Sequence, residues 1–145
     1  MAKEGRTVAI QLSAKSHETS VNLEEVKFIQ GYGIEGDRHA TDREERQDFQ
    51  VLLMDIETLS ELGLEAGTIK EQVTTTGIAI NSLDAGTNIA LGDEIVVKIT
   101  KPCAPCSRMD EIEDGLQEQL QDRRGKLARI VKGGTLRVGD TVKVI

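Results

Sequence analysis

The chain has 145 residues, a formal net charge of −7 and only 2% aromatics, so its core must be built mostly from Val, Ile, Leu and Ala. No apolar run approaches the roughly 18–20 residues that cross a bilayer, and the N-terminal segment has no apolar signal-peptide core, which together predict a cytoplasmic protein with no membrane association. Two cysteines exclude a disulfide scaffold, and an acidic balance with almost no stacking side chains speaks against nucleic acid as a partner.

With no low-complexity segment and no Pro/Ser-rich linker, the sequence predicts one domain over 1–145. Strands are expected at 7–12 and 26–29, followed by a Gly-rich turn at 31–37 and a strongly charged loop at 38–48. The apolar run at 49–54 has strand length, and 55–63 reads as a short helix with Asp55 as N-cap and Gly63 as stop. Residues 73–80 and 95–100 are β-branched and extended. The spacing of Ile112, Leu116 and Leu120 predicts one helix over 111–124, closed by Gly125. Final strands are expected at 127–131 and 141–145. Segments 86–97 and 134–144 resemble each other: each has a short hydrophobic piece, a Gly-Asp turn and a β-branched strand, as in two hairpins. Many short strands and only two helices predict a mostly β protein, a closed and mainly antiparallel β-barrel with a few helices.

Both cysteines and both prolines fall in Lys101-Pro102-Cys103-Ala104-Pro105-Cys106-Ser107-Arg108, between a predicted strand and a predicted helix. A helix N-terminus and the cations Lys101 and Arg108 would favour thiolate, the reactive form of cysteine. Four readings stand. A structural zinc would use this Cys-x-x-Cys as half of a tetrahedral site, but His17 and His39 lack the matching spacing. A dithiol oxidoreductase would use Cys103 and Cys106 together, although the chain lacks βαβ units and has no third proline for a loop beside the dithiol. A single thiolate could be a soft metal ligand or a sulfur carrier. Otherwise both are small buried hydrophobes.

Two further stretches hold polar groups suited to a ligand. In Gly33-Ile34-Glu35-Gly36-Asp37-Arg38-His39 the glycines permit close backbone approach, and Arg38 and His39 can hold an anion. The spacing fits neither a phosphate-binding Walker loop nor a dinucleotide fingerprint; read alone, this is a tight turn before a solvated loop. Lys70-Glu71-Gln72-Val73-Thr74-Thr75-Thr76-Gly77-Ile78 concentrates hydroxyls and an amide, which suit either cofactor contacts or a Thr-rich edge strand. The charges of Asp42-Arg43-Glu44-Glu45-Arg46 read as a solvated loop.

Taken in order, the 33–39 block, the 50–53 strand, the 71–77 stretch, Leu91-Gly92-Asp93, Pro105-Cys106 and the closing strands resemble a MOSC domain, the module named for the C-terminal part of molybdenum cofactor sulfurases. The likeness runs from Val8 to Ile145 and fits the small stand-alone bacterial form. It implies a β-barrel that binds the molybdenum cofactor, a molybdopterin, with Cys106 as catalytic thiolate and metal ligand. It also implies cofactor contacts from Gly36, Asp37, Arg38, His39, Gln72, Thr74 and Thr75, with Arg38 and His39 toward the anionic side and the threonines toward the polar edge. The implied activities are sulfur transfer to the cofactor or reduction of N-hydroxylated compounds. A carrier or chaperone role is the non-catalytic alternative. The partners would be a cofactor-synthesis protein, a molybdoenzyme or an external reductase. Two departures stand out: Gln72 where the family often has Asn, and Ala40-Thr41-Asp42-Arg43-Glu44-Glu45-Arg46 in place of a Gly-Gly-x-Asp loop.

Overall fold

A computed structural model describes residues 4–13 and 21–145; His17 lies outside them. The strands are β1 (Glu4–Leu12), β2 (Val21–Leu23), β3 (Glu25–Ile29), β4 (Gly33–Ile34), β5 (Val51–Asp55), β6 (Val73–Thr76), β7 (Asn88–Leu91), β8 (Ile95–Pro102), β9 (Lys126–Lys132), β10 (Gly134–Arg137) and β11 (Thr141–Val144). Short helices are α1 (Ile56–Glu61), α2 (Met109–Ile112) and α3 (Leu116–Gln119), and 3-10 segments span Glu44–Phe49 and Ile80–Ser82.

Seven strands close into a barrel in the order β11-β7-β8-β9-β5-β6-β1, with β1 pairing back onto β11 and β2 extending the sheet beyond β1. Within this sheet every pairing is antiparallel except β5 with β6. The mostly β, closed-barrel expectation holds. A small sheet of β10, β3 and β4 packs beside it.

The apolar run at β5 shows why the core has two parts. Val51 and Leu53 point into the barrel with Ile10, Val73, Val97 and Ile130, whereas Met54 faces outward and packs with Leu59, Ile69, Met109, Leu116 and Leu120. All five residues of β5 are therefore buried, as a strand covered on both faces must be. Each Leu or Met removed from water here contributes roughly 1.5–3 kcal/mol. The helix after β5 begins as expected: Asp55 accepts from the Thr58 backbone N–H at 2.8 Å and from its hydroxyl at 2.7 Å.

Three expectations are corrected. The helix over 111–124 is two four-residue helices, α2 and α3, with Gly115 between them at φ 81°. A continuous helix would stack Asp110 on Asp114 one turn apart, beside Glu111 and Glu113, and like charges at that spacing oppose it. Leu116 and Leu120 are buried as the spacing predicts, but Ile112 is 41% exposed. Secondly, the repeat is one hairpin and one corner. β7 pairs with β8, whereas β10 joins the small sheet and β11 the barrel. The Gly-Asp turn of the corner is capped by Asp140, which accepts from the Arg137 backbone N–H at 2.8 Å. Thirdly, the strand expected over 73–80 ends at Thr76.

Candidate functional site

At one end of the barrel, β1 and β8 finish while β6 and β9 begin. A cleft of about 580 Å³ opens there, within the range of small-molecule sites. Among the described residues its lining carries six cations, Arg38, Arg46, Lys70, Lys101, Arg108 and Arg124, against two carboxylates, Asp37 and Glu111. In a chain of net charge −7 this concentrates positive charge at one place.

The first wall is built on Asp37. Gly36, at φ 90°, makes the turn that sends Asp37 inward, and the Arg38 backbone N–H donates to the Ser13 carbonyl at 2.8 Å. The Asp37 carboxylate accepts from the Gln72 side-chain amide at 3.0 Å, the Ser13 backbone N–H at 3.5 Å, and pairs with His39 Nδ1 at 3.2 Å. Burial by itself would raise this carboxyl, but the bonds from His39 and Gln72, the His39 charge and the Ser13 amide together hold it below the ordinary carboxylate value.

Gln72 accounts for its departure from the family's Asn. Its side-chain oxygen accepts from the Leu52 backbone N–H at 2.8 Å while its amide nitrogen donates to Asp37. The longer side chain spans from the β5 backbone to the cleft wall and satisfies both ends.

The second wall carries the thiols. β8 pairs with β9 as far as Pro102 opposite Lys126, after a register shift between Ile99 and Lys101. Such an irregularity re-aims the following side chains. Cys103 continues from β8 and its backbone N–H donates to the Gly125 carbonyl at 3.1 Å. Gly125 sits at φ 88°, and a Cβ there would overlap the Leu53 carbonyl, so only glycine fits.

Arg124, just before it, reaches across the cleft floor. Its guanidinium donates to Cys103 Sγ at 3.2 Å, to the Ala104 carbonyl at 3.1 Å and to the Ile69 carbonyl at 3.2 Å. Burial pushes the Cys103 thiol up, assisted by Cys106, while Arg124 and Lys101 oppose the rise. Cys103 is half-buried and Cys106 exposed, both on the cleft and both reduced. The helix expected to favour thiolate begins only at Met109 and is four residues long. The positive field around the sulfurs therefore comes from side chains. Among the described residues no cluster of three or more His, Cys, Asp or Glu could hold a metal, which leaves the zinc reading unsupported there.

Beneath the cleft lies a buried polar layer. Glu71 accepts from the Thr74 hydroxyl at 2.8 Å and the Gly67 backbone N–H at 3.0 Å, and Thr74 also bonds Gln11. Burial pushes the Glu71 carboxyl up against these bonds and the more distant Arg124. Glu71 Oε1 and Arg124 Nε are both buried without a hydrogen-bond partner.

Of the residues selected from sequence, Asp37, Arg38, His39, Gln72 and Cys106 line the cleft, as do Lys101 and Arg108. Gly36 lies behind Asp37, and Thr74 and Thr75 are fully buried below, off the lining. Sequence reasoning missed Arg124, Gln11 and Phe49, and took Arg46 for a solvated charge. Lys70, which heads the polar stretch picked out in the sequence, also lines the cleft, and its left-handed backbone, φ 70°, is unusual for a non-glycine residue.

No curated protein matches this sequence. Among solved structures, the YuaD protein of Bacillus subtilis is similar with TM-score 0.83 and 16% identity, over 99% of this chain and 98% of that one. YiiM of Geobacillus stearothermophilus gives TM-score 0.76 and 16% identity, over 97% and 75% of the two chains. YiiM of Escherichia coli gives 0.70 and 14%, over 97% and 69%. At these identities the likeness concerns the fold. The sequence itself matches the MOSC domain over residues 35–143, a span that holds the Asp37 wall, both cysteines and Arg124, and the chain therefore belongs to the MOSC domain family.

Proposed function

We propose that this protein binds the molybdenum cofactor in the cleft through the Cys106 thiolate. We propose that it serves either sulfur transfer to that cofactor or reduction of N-hydroxylated compounds. The MOSC family is associated with this cofactor in general. The observation that carries the reading for this chain is the meeting of two thiols and six cations on one cleft of an otherwise acidic protein. The donor chemistry fits: thiolate is a soft ligand suited to molybdenum, and the cations suit an anionic phosphate.

When bound, the cofactor would supply a redox-active metal able to accept and release oxygen or sulfur. The chain's own residues would do the rest. Cys106, exposed on the loop, is free to approach the metal, while Arg124 fixes the Cys103 end of that loop. Asp37, Arg38, His39 and Gln72 form the opposing wall, with Gly36 shaping its turn. Thr74 and Thr75 would support that wall from below. Reduction of an N-hydroxyl group takes two electrons and two protons and releases water, so an external reductase would be the partner. Sulfur transfer or cofactor carriage would instead need a molybdoenzyme or a synthesis protein.

A dithiol reading is favoured by one observation, the shared cleft of Cys103 and Cys106. Loss of all activity in Cys103→Ser would support it.

The test is metal and pterin content after expression in a cofactor-competent host. Wild type is expected to carry molybdenum and pterin together, and Cys106→Ser to lose the molybdenum. Equal molybdenum in both would refute the ligand assignment.

A further inference from the structure

The outer face of β8 and β9 departs from the acidic character of the chain. These two strands carry Lys98, Lys101, Lys126, Arg129 and Lys132 and no Asp or Glu, in a protein of net charge −7. Val97, Ile99, Ala128 and Ile130 fill the barrel core, so the alternating residues Lys98 and Arg129 stand on the outside. The register sets Lys98 and Arg129 directly opposite each other. Like charges at opposed positions of an antiparallel pair disfavour the pairing. Asp48 reaches Arg129 at 3.5 Å, but with both side chains open to solvent the contact offsets little of that cost. Among the described residues Lys98, Lys101 and Lys132 have no carboxylate within ion-pair distance.

This face runs up to the cleft. The Thr100 hydroxyl is shared between the Asp48 carbonyl at 2.6 Å and the Leu127 carbonyl at 3.1 Å, which holds the Glu44–Phe49 segment against the end of β8. Lys101 Nζ then lies 4.4 Å from the Phe49 ring centroid, and the Arg46 guanidinium carbon 5.2 Å from it. A cation held on a ring face loses side-chain freedom before any partner arrives. Arg46, Phe49, Lys101 and Leu127 also line the cleft that holds Cys103 and Cys106. Farther along β9, Val131 is 40% exposed and adds apolar surface. Pre-set cations, an aromatic ring and exposed aliphatic surface on one face are the mixture found at protein interfaces.

We infer that the outer face of β8 and β9, together with the Glu44–Phe49 segment, is the docking surface for a protein partner that presents an acidic patch, seated at the edge of the cleft. Charge complementarity selects this occupant. Carboxylates of a partner would relieve the opposition of Lys98 and Arg129 and meet cations that have no counter-charge of their own. Nucleic acid fits the face poorly: the net charge of −7 repels a long polyanion, and the one ring on the face is already covered by Arg46 and Lys101. The partner's role rests on the reading of the cleft as a reductase site, on which it is the external reductase. Its docked position leaves it beside the loop that carries both thiols.

The test titrates the full chain with an octaglutamate peptide at low salt, where exposed charges are least screened, and follows the backbone amide signals by NMR. Shifts are expected on β8, β9 and residues 44–49. Combining Lys98→Gln with Arg129→Gln is expected to weaken the peptide about fivefold, the size of two exposed charge contacts. Lys27→Gln, on the small sheet, is expected to change nothing. Lys98→Gln alone is expected to melt at no lower temperature than wild type, because it removes a like-charge opposition; a lower melting temperature would mean that Lys98 serves the fold and would overturn its docking role. Peptide shifts confined to another surface, an affinity indifferent to the double variant, or an octathymidylate that binds more tightly than the peptide overturns the inference. So does a dimer in sedimentation that the double variant dissociates, since a second copy would then be the occupant. The molybdenum content of wild type is measured separately. Peptide docking on this face without molybdenum would refute the cofactor reading alone, and molybdenum with a peptide indifferent to the face would refute the docking surface alone.

Discussion

The Arg124 guanidinium lies 3.2 Å from the sulfur of Cys103, one residue from the glycine that accepts the Cys103 backbone N–H. The pair is a balance: burial disfavours the Cys103 thiolate and Arg124 offsets part of that cost. Replacing Arg124 by Met removes the offset and raises the thiol further. Iodoacetamide labelling near pH 8, followed by peptide mass spectrometry, is expected to show Cys103 alkylated about fivefold more slowly relative to Cys106. An unchanged ratio would show that Arg124 does not act on Cys103.

Gln72→Asn removes one methylene from a side chain that now satisfies both the Leu52 backbone N–H and Asp37. The shorter amide can keep one bond and strands the other group in a buried site. The expected cost is about 1–3 kcal/mol in chemical denaturation. A stability equal to wild type would mean that the wall relaxes around Asn.

Glu71 gives a pH dependence of defined sign. Its folded value is raised, so its contribution to stability is full below the unfolded value and falls as pH climbs through the folded one. Glu71→Gln retains an acceptor for Thr74 and Gly67 but cannot ionise. The stability difference between wild type and Glu71→Gln is therefore expected to shift against wild type as pH rises from about 4.5 toward neutrality. A difference that stays flat over that range would contradict the buried-charge account.

Gly125→Ala forces a left-handed backbone on alanine and drives its Cβ into the Leu53 carbonyl. The expected loss is about 2–4 kcal/mol by thermal or chemical unfolding. A loss below about 0.5 kcal/mol would mean that the β9 start shifts freely, and that the Cys103 anchor is weaker than its geometry implies.

The sequence made the barrel legible because local signals agree with the fold: β-branched strands, Asp55 as cap, and Gly-Asp turns before β8 and β11. It misjudged 111–124 because the apolar spacing of Leu116 and Leu120 outweighed the crowded acids and Gly115, which split the helix. On the cleft, Asp37, Arg38 and His39 stand consecutively in one Gly-rich block and Cys106 sits in the single segment that holds both cysteines, so they could be singled out from the sequence, and the structure brings them onto one lining. Arg124 and Phe49 could not: their roles depend on β9 returning beside β8 and on Thr100 holding the 3-10 turn, pairings that no local spacing records. Gln72 was visible as a departure, but its purpose appears only with Leu52 and Asp37 beside it.

The central claim is that Cys106 is the protein's thiolate on molybdenum. The most direct measurement is molybdenum-edge X-ray absorption of cofactor-loaded wild type, Cys103→Ser and Cys106→Ser. Wild type and Cys103→Ser are expected to show the same sulfur coordination, one sulfur more than Cys106→Ser retains. The same sulfur count in wild type and Cys106→Ser would contradict the account.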